Sequence, residues 1–208
     1  MVVVAQAHSV TPGRDWEDDR GSETMADPET EFLVNSLLLD TVLGHVELMG
    51  HPIMLFRFEF LVAIQKQLET TIGNSAKGVL YLAGERAAEQ VLPAMSTQLR
   101  ELPTGRESLS ALRRMSDLWA TIGVGRATIT EFYLSEGRFA FRIEHGTYPA
   151  AYGESDKPVC HLWAGWAAGV AKRLFHRVTM CEEVHCVAMG DSGCEFILGP
   201  HGSVARKP

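Results

Sequence analysis

Apolar side chains along this chain recur at a period near 3.6 up to about residue 123 and at a period near two just after it. That change predicts the order of elements. Phe32, Leu33, Leu37, Val42, Leu43, Val46 and Leu48 fall on one helical stripe, which predicts a helix over residues 32–51 ending at Gly50 before His51-Pro52. Extra apolar residues at Leu38 and Leu39 make this segment a candidate contact with a second subunit. Phe58, Leu61, Ile64 and Leu68 predict a second helix, stopped by Gly73. A third is expected from Ser75 towards Leu102, kinked or ended locally by Pro93. Ser108 to Ile122 reads as a shorter amphipathic helix with Leu109, Leu112, Met115, Leu118 and Trp119 inward.

Beyond Gly123 the sequences ATITEFYL and RFAFRIEH alternate apolar and polar residues around Ser135-Glu136-Gly137, the pattern of an antiparallel hairpin. Val159 to about His176 is expected to be a helix, and its Ala164, Gly165, Ala168 and Gly169 suit close packing. Strands are expected at Val178 to Glu183, at Cys186 to Met189 and, after a turn at Asp191-Ser192-Gly193, up to Leu198. Helices first and antiparallel strands later predict an α+β fold, with helices packed on an antiparallel sheet.

Composition adds organisation. The 208 residues suit one domain, and 46% apolar with 22% charged residues excludes a largely disordered chain. The net charge of −7 is concentrated at the start, where residues 1–31 hold eight acids against Arg14 and Arg20, a net of −6. This segment has little apolar periodicity and is expected to be a disordered acidic tail; residues 200–208 form a second short tail. The near-neutral remainder offers no basic face for nucleic acid. No apolar run approaches the ~18 residues of a membrane span, and the opening residues lack the flank and core of a secretory signal, so a cytoplasmic address is expected.

All four cysteines, Cys160, Cys181, Cys186 and Cys194, fall between Pro158 and Phe196. Three of them with one acid make C-x22-E-x2-C-x7-C: Cys160, Glu183, Cys186 and Cys194. Three thiolates and a carboxylate are a donor set that zinc accepts in a closed tetrahedral site. Metal would offset their mutual repulsion and staple a helix start to a strand pair. Free cysteines are also common as small buried hydrophobes. Cys181, Glu182, His161 and His185 compete as ligands, Cys181 most seriously because it shares a strand face with Glu183.

At these residues the sequence resembles the V4R family, the domain named for 4-vinyl reductase. Pro158-Val159-Cys160, then Ala164-Gly165, then Glu183, Cys186, Ala188, Gly190, Asp191, Cys194 and Phe196 stand in that family's C-terminal pattern. Weaker likeness in RFEFLVAIQKQLETTIG, VLYLAGE and GRFAFRIEH extends it over residues 52–199, the expected ligand-binding domain. The resemblance implies the α+β fold of vesicle-tethering subunits and haem-based nitric oxide sensors, a homodimer, and a pocket between helices and sheet. It also implies structural zinc on Cys160, Glu183, Cys186 and Cys194. The histidine and tryptophan that hold the hydroxyl in phenol-sensing relatives correspond here to Trp119 and His145.

Three functions follow from that resemblance. The first is a stand-alone carrier or assembly protein for a tetrapyrrole of the bacteriochlorophyll pathway, with a pathway enzyme as possible partner. The second is a sensor of small aromatics that signals through a partner, and the third is an actual reductase of divinyl tetrapyrroles. Gly123-Val124-Gly125 lacks the third glycine of a dinucleotide fingerprint, and a strand is expected where its helix should follow. The expectation is therefore binding of a hydrophobic small molecule with no assigned catalytic residue. Trp119, Phe132, Phe139, Phe141, His145 and Trp166 are the candidate pocket residues.

Overall fold

A computed structural model describes residues 37–48, 50–95, 106–133 and 135–200. Within them β1 (Leu37–Asp40), β2 (His45–Leu48) and β3 (His51–Pro52) form a small antiparallel sheet, and α1 (Phe58–Ile72), α2 (Ser75–Met95) and α3 (Arg106–Thr121) follow. The hairpin β4 (Arg126–Tyr133) and β5 (Arg138–Glu144) leads to α4 (Thr147–Tyr152) and α5 (His161–Phe175). β6 (Met180–His185), a 3₁₀ turn (Val187–Met189) and β7 (Cys194–Gly199) complete the fold. The main sheet is antiparallel in the order β4-β5-β7-β6. This is the α+β fold that the change of period predicts.

One face of that sheet is the core. Phe139, Phe141 and Ile143 of β5 alternate inward and sit opposite Leu198, Phe196 and Cys194 of β7, all buried. The Phe141 and Phe196 rings stack at 4.8 Å. Across this face lies α5, burying Ala164, Ala167, Ala168, Val170, Ala171 and Leu174, and α2 covers its far side. The two helices touch backbone to backbone because glycines stand at the crossing. A Cβ on Gly165 would lie 1.9 Å from the Tyr81 carbonyl oxygen, and one on Gly84 2.0 Å from that of Leu162.

Polar groups tie α1 to this stack. Gln65, fully buried, donates from Nε2 to Glu69 Oε1 (2.8 Å) and to the Val159 carbonyl (3.0 Å), and its Oε1 accepts from the Tyr148 hydroxyl. Tyr152 donates to Glu69 Oε2 at 2.6 Å. Every member of the buried chain is paired, as low dielectric requires.

Two expected elements are corrected. Within residues 32–51 the described part is a hairpin, not a helix: Leu37 faces Leu48, and Asp40 Oδ1 accepts the N–H groups of Val42 and Leu43 at 2.9 Å each. This Asx turn, closed by Gly44 at φ +69°, reverses the chain where a helix would continue. Cys186 to Met189 is a 3₁₀ turn, not a strand, because Asp191 Oδ2 accepts the Cys186 N–H at 2.8 Å and the Met189 N–H returns to the Cys186 carbonyl. The short helix α4 is an element the periodicity does not reveal. The expectations for residues 1–31, for the helix beyond Met95 and for residues 201–208 lie outside the described residues.

The helix crossing yields the first prediction. Gly165→Ala should destabilise the protein by about 1–3 kcal/mol through overpacking, although alanine is the better helix former. Gly78→Ala in α2, where an added Cβ meets nothing within 4 Å, should be neutral or stabilising by up to ~1 kcal/mol. Urea unfolding of both variants checks the contrast, and equal effects would contradict the packing described.

Candidate metal centre and aromatic pocket

Four elements converge on one buried cluster. Cys160 caps the start of α5, Glu183 lies on β6, Cys186 precedes the 3₁₀ turn and Cys194 opens β7. One ligand atom from each lies within 4.8 Å of the others, and all four residues are buried. The Cys160 and Cys194 sulfurs are 3.8 Å apart and those of Cys194 and Cys186 4.0 Å, too far for a disulfide. Both match the ~3.8 Å edge of a tetrahedron built on a ~2.3 Å zinc–sulfur bond.

Glu183 decides how well a cation fits. Its Oε2 accepts the Cys160 N–H at 2.8 Å, which orients the carboxylate, while its Oε1 is buried with no hydrogen-bond partner. An orphaned carboxylate oxygen among three sulfurs is a ligand atom in search of a cation. Burial, and then the neighbouring Cys186, push the Glu183 carboxyl up to about 8. Burial also raises the Cys160 thiol, whereas contacts with Cys160 and Cys194 lower that of Cys186. The cluster therefore keeps protons at neutral pH that a metal must displace. Cys181, the competitor on the same strand, is not among the four converging groups; it is buried, and its N–H donates to the Tyr81 hydroxyl at 2.9 Å. Nor are Glu182, His161 or His185, the last of which faces Asp191 at 3.3 Å.

The second site lies between α3, the β4–β5 hairpin and α5. Trp119, Phe139, Phe141 and Trp166, four of the six predicted pocket residues, line an apolar cavity of about 30 Å³ with Leu112, Met115, Ser116, Ala127, Ile129, Ala167 and Val170. Trp119 contacts Trp166 at 5.0 Å and Phe141 at 5.8 Å between ring centroids. The other two predicted residues are not in the lining. Phe132 faces Phe175 at 6.3 Å, and His145 is exposed at the end of β5, in a left-handed conformation (φ +54°) that begins the turn into α4. Sequence reasoning did not assign the α3 contributions of Leu112 and Met115 to the pocket, although the stripe that predicts their helix marked them as inward.

A separate, larger groove of about 720 Å³ runs between α2, the start of α5 and β6. Lys77, Tyr81 and Leu82 line it from α2, His161 and Ala164 from α5, and Met180 to Glu183 from the strand. Burial, and then Lys77, lower the His161 imidazole to about 4, so it is neutral at pH 7.

The segment that holds the cysteine–glutamate cluster also carries the likeness to known proteins. Residues 139–200 match the V4R domain. The chain is 23% identical over 185 residues to the phenol regulator MopR of Acinetobacter guillouiae, a stretch covering 83% of this chain and 32% of that protein. It is 27% identical over 157 residues to the bacteriochlorophyll synthase 23 kDa chain of Rhodobacter capsulatus, covering 70% and 68%. The chain thus spans about a third of the regulator's length and about two thirds of the synthase chain's. The phenol-responsive sensory domain of the transcription activator PoxR, solved with phenol, superposes with a TM-score of 0.66 at 22% identity, over 86% of this chain and 91% of that one. The V4R match runs from β5 to β7 and contains all four converging ligand groups. α3 and β4, which complete the aromatic cavity, lie upstream of it.

Because Glu183 and Cys160 hold protons that a metal replaces, zinc affinity should rise with pH, by about tenfold or more per unit between pH 6 and 8. Chelator competition at several pH values measures it. A flat profile would contradict the protonated cluster.

Proposed function

We propose that this chain is a binding module for a small aromatic molecule, held in the α3–hairpin–α5 cavity and stapled by structural zinc. The aromatic lining of that cavity is the observation on which this reading rests. Pockets for small molecules are mostly apolar with few polar groups, and the lining here is apolar apart from Ser116 and two indoles. An apolar cavity of ~150 Å³ is what admits benzene. At about 30 Å³ the present one must expand to receive a single ring, and a tetrapyrrole is far beyond it. Likeness to MopR and PoxR supports the same reading.

In this reading Cys160, Glu183, Cys186 and Cys194 hold the zinc. A buried four-ligand site leaves no open position, so bound zinc supplies folding energy and not chemistry. The chain's residues bind a ligand and assign no catalytic group. Signalling would pass through a partner.

A carrier of tetrapyrrole is the second reading, and the groove favours it. Its volume of about 720 Å³ lies within the range of ligand sites, and the chain resembles the bacteriochlorophyll synthase 23 kDa chain. A screen of the zinc-loaded protein with phenols, porphyrins and magnesium porphyrins, read by absorbance and melting shift, separates the two. Phenol-sized ligands should raise the melting temperature and porphyrins should not. Porphyrin binding alone would replace the first reading with the carrier, and loss of a vinyl group from a divinyl tetrapyrrole with added reductant would make the protein an enzyme.

We also propose a homodimer. The β1–β3 sheet packs mainly against itself and leaves Leu38, Leu39, Val42 and Leu43 exposed, Val42 at 92%. Met54, Leu55, Phe56 and Phe60 continue the exposed apolar surface into α1. A small isolated sheet is marginally stable in water, and a second copy would bury it. Sedimentation should give a dimer that Leu39→Asp with Leu43→Asp converts to monomer; a wild-type monomer would contradict it.

A further inference from the structure

The groove between α2, the start of α5 and β6 reaches the cysteine–glutamate cluster from outside. Of the four clustered residues, Glu183 alone belongs to its lining, and the aromatic cavity touches none of them. Glu183 is also the least enclosed of the four, at 6% exposure against 2% for Cys160, 1% for Cys194 and 0% for Cys186. Its Oε2 is held by the Cys160 N–H, and its Oε1 has no partner. A path from solvent along this groove therefore meets the carboxylate before any clustered sulfur.

The rest of the lining has the chemistry of a path for a metal ion. His161, Cys181 and Glu182, which compete as ligands on spacing alone, stand outside the cluster, and all three line the groove. They offer an imidazole nitrogen, a sulfur and a carboxylate, donor types that zinc accepts. Their burial is graded: Glu182 is exposed, His161 half-buried, and Cys181 buried on the strand face it shares with Glu183. Lys77, the cation of the lining, is outnumbered there by Glu182 and Glu183. A buried site needs an entry path as well as ligands, and an ion bound for it must shed its hydration shell on the way. Donors spaced along the groove replace that shell stepwise.

We propose that this groove is the route by which zinc enters and leaves the cluster, with His161 as the transit ligand between solvent and Glu183. This rests on the structural-zinc reading and deepens it. It also gives the competing donors a role that a closed four-ligand site does not.

Zinc release from the purified zinc-loaded full chain to excess pyridylazo-resorcinol, read by absorbance, tests the route. Gly78 lines the groove, and a Cβ there meets nothing within 4 Å; Leu82 lines it from an exposed position. Gly78→Trp and Leu82→Trp should each slow release about tenfold or more, and His161→Ala about threefold or more, with equilibrium zinc affinity kept within about twofold. Val79→Trp, at an exposed position of α2 outside the lining, should release at the wild-type rate. A wild-type rate in either groove variant or in His161→Ala overturns the route, and so does equal slowing by Val79→Trp. A measurement without variants is the dependence on chelator: wild-type release should quicken as pyridylazo-resorcinol is raised, and a rate independent of it, set by unfolding alone, also overturns the route. Purified protein that holds no zinc removes the structural-zinc reading itself, an outcome seen before any release is measured.

Discussion

Three cysteine sulfurs and a carboxylate buried within 4.8 Å of one another are the constraint on which this fold depends. Ionised together they repel, and protonated they leave Glu183 Oε1 without a partner. A divalent cation resolves both problems at once. The four groups come from the start of α5, from β6, from the 3₁₀ turn and from β7, so an ion held there would join helix and sheet at a single point. Gln65 extends that point into α1 by holding the carbonyl of Val159, the residue before Cys160.

What the cluster positions is α5. Its first residues are fixed by Cys160 and its glycines by contact with α2, so Trp163 and Trp166 project from a helix held at its start and along one side. The opposite wall of the cavity, α3, packs mainly on β4.

Much of this was legible in the chain, for identifiable reasons. The β4–β5 hairpin follows from alternation over fifteen residues, and α5 from a long stripe of small and apolar side chains. Residues 37–48 misled because Leu37, Leu38 and Leu39 satisfy any period, and the deciding signals were the polar Asp40 and Gly44. Cys181 and Glu183 could not be separated by alternation, since they share a face of β6. The register separates them: Glu183 pairs with Phe196, two residues from Cys194, and Cys181 pairs farther on with Leu198. His145 looked like a pocket residue because it ends a strand whose Phe139 and Phe141 face inward. Its left-handed backbone turns the chain away, and a backbone angle leaves no mark in composition.

The central claim is that Cys160, Glu183, Cys186 and Cys194 together bind one zinc ion. X-ray absorption at the zinc edge of the purified protein tests it most directly. The account predicts one zinc per chain with three sulfur neighbours at ~2.3 Å and one oxygen at ~2.0 Å. Protein folded without zinc, or a shell of four sulfurs that brings in Cys181, would contradict it.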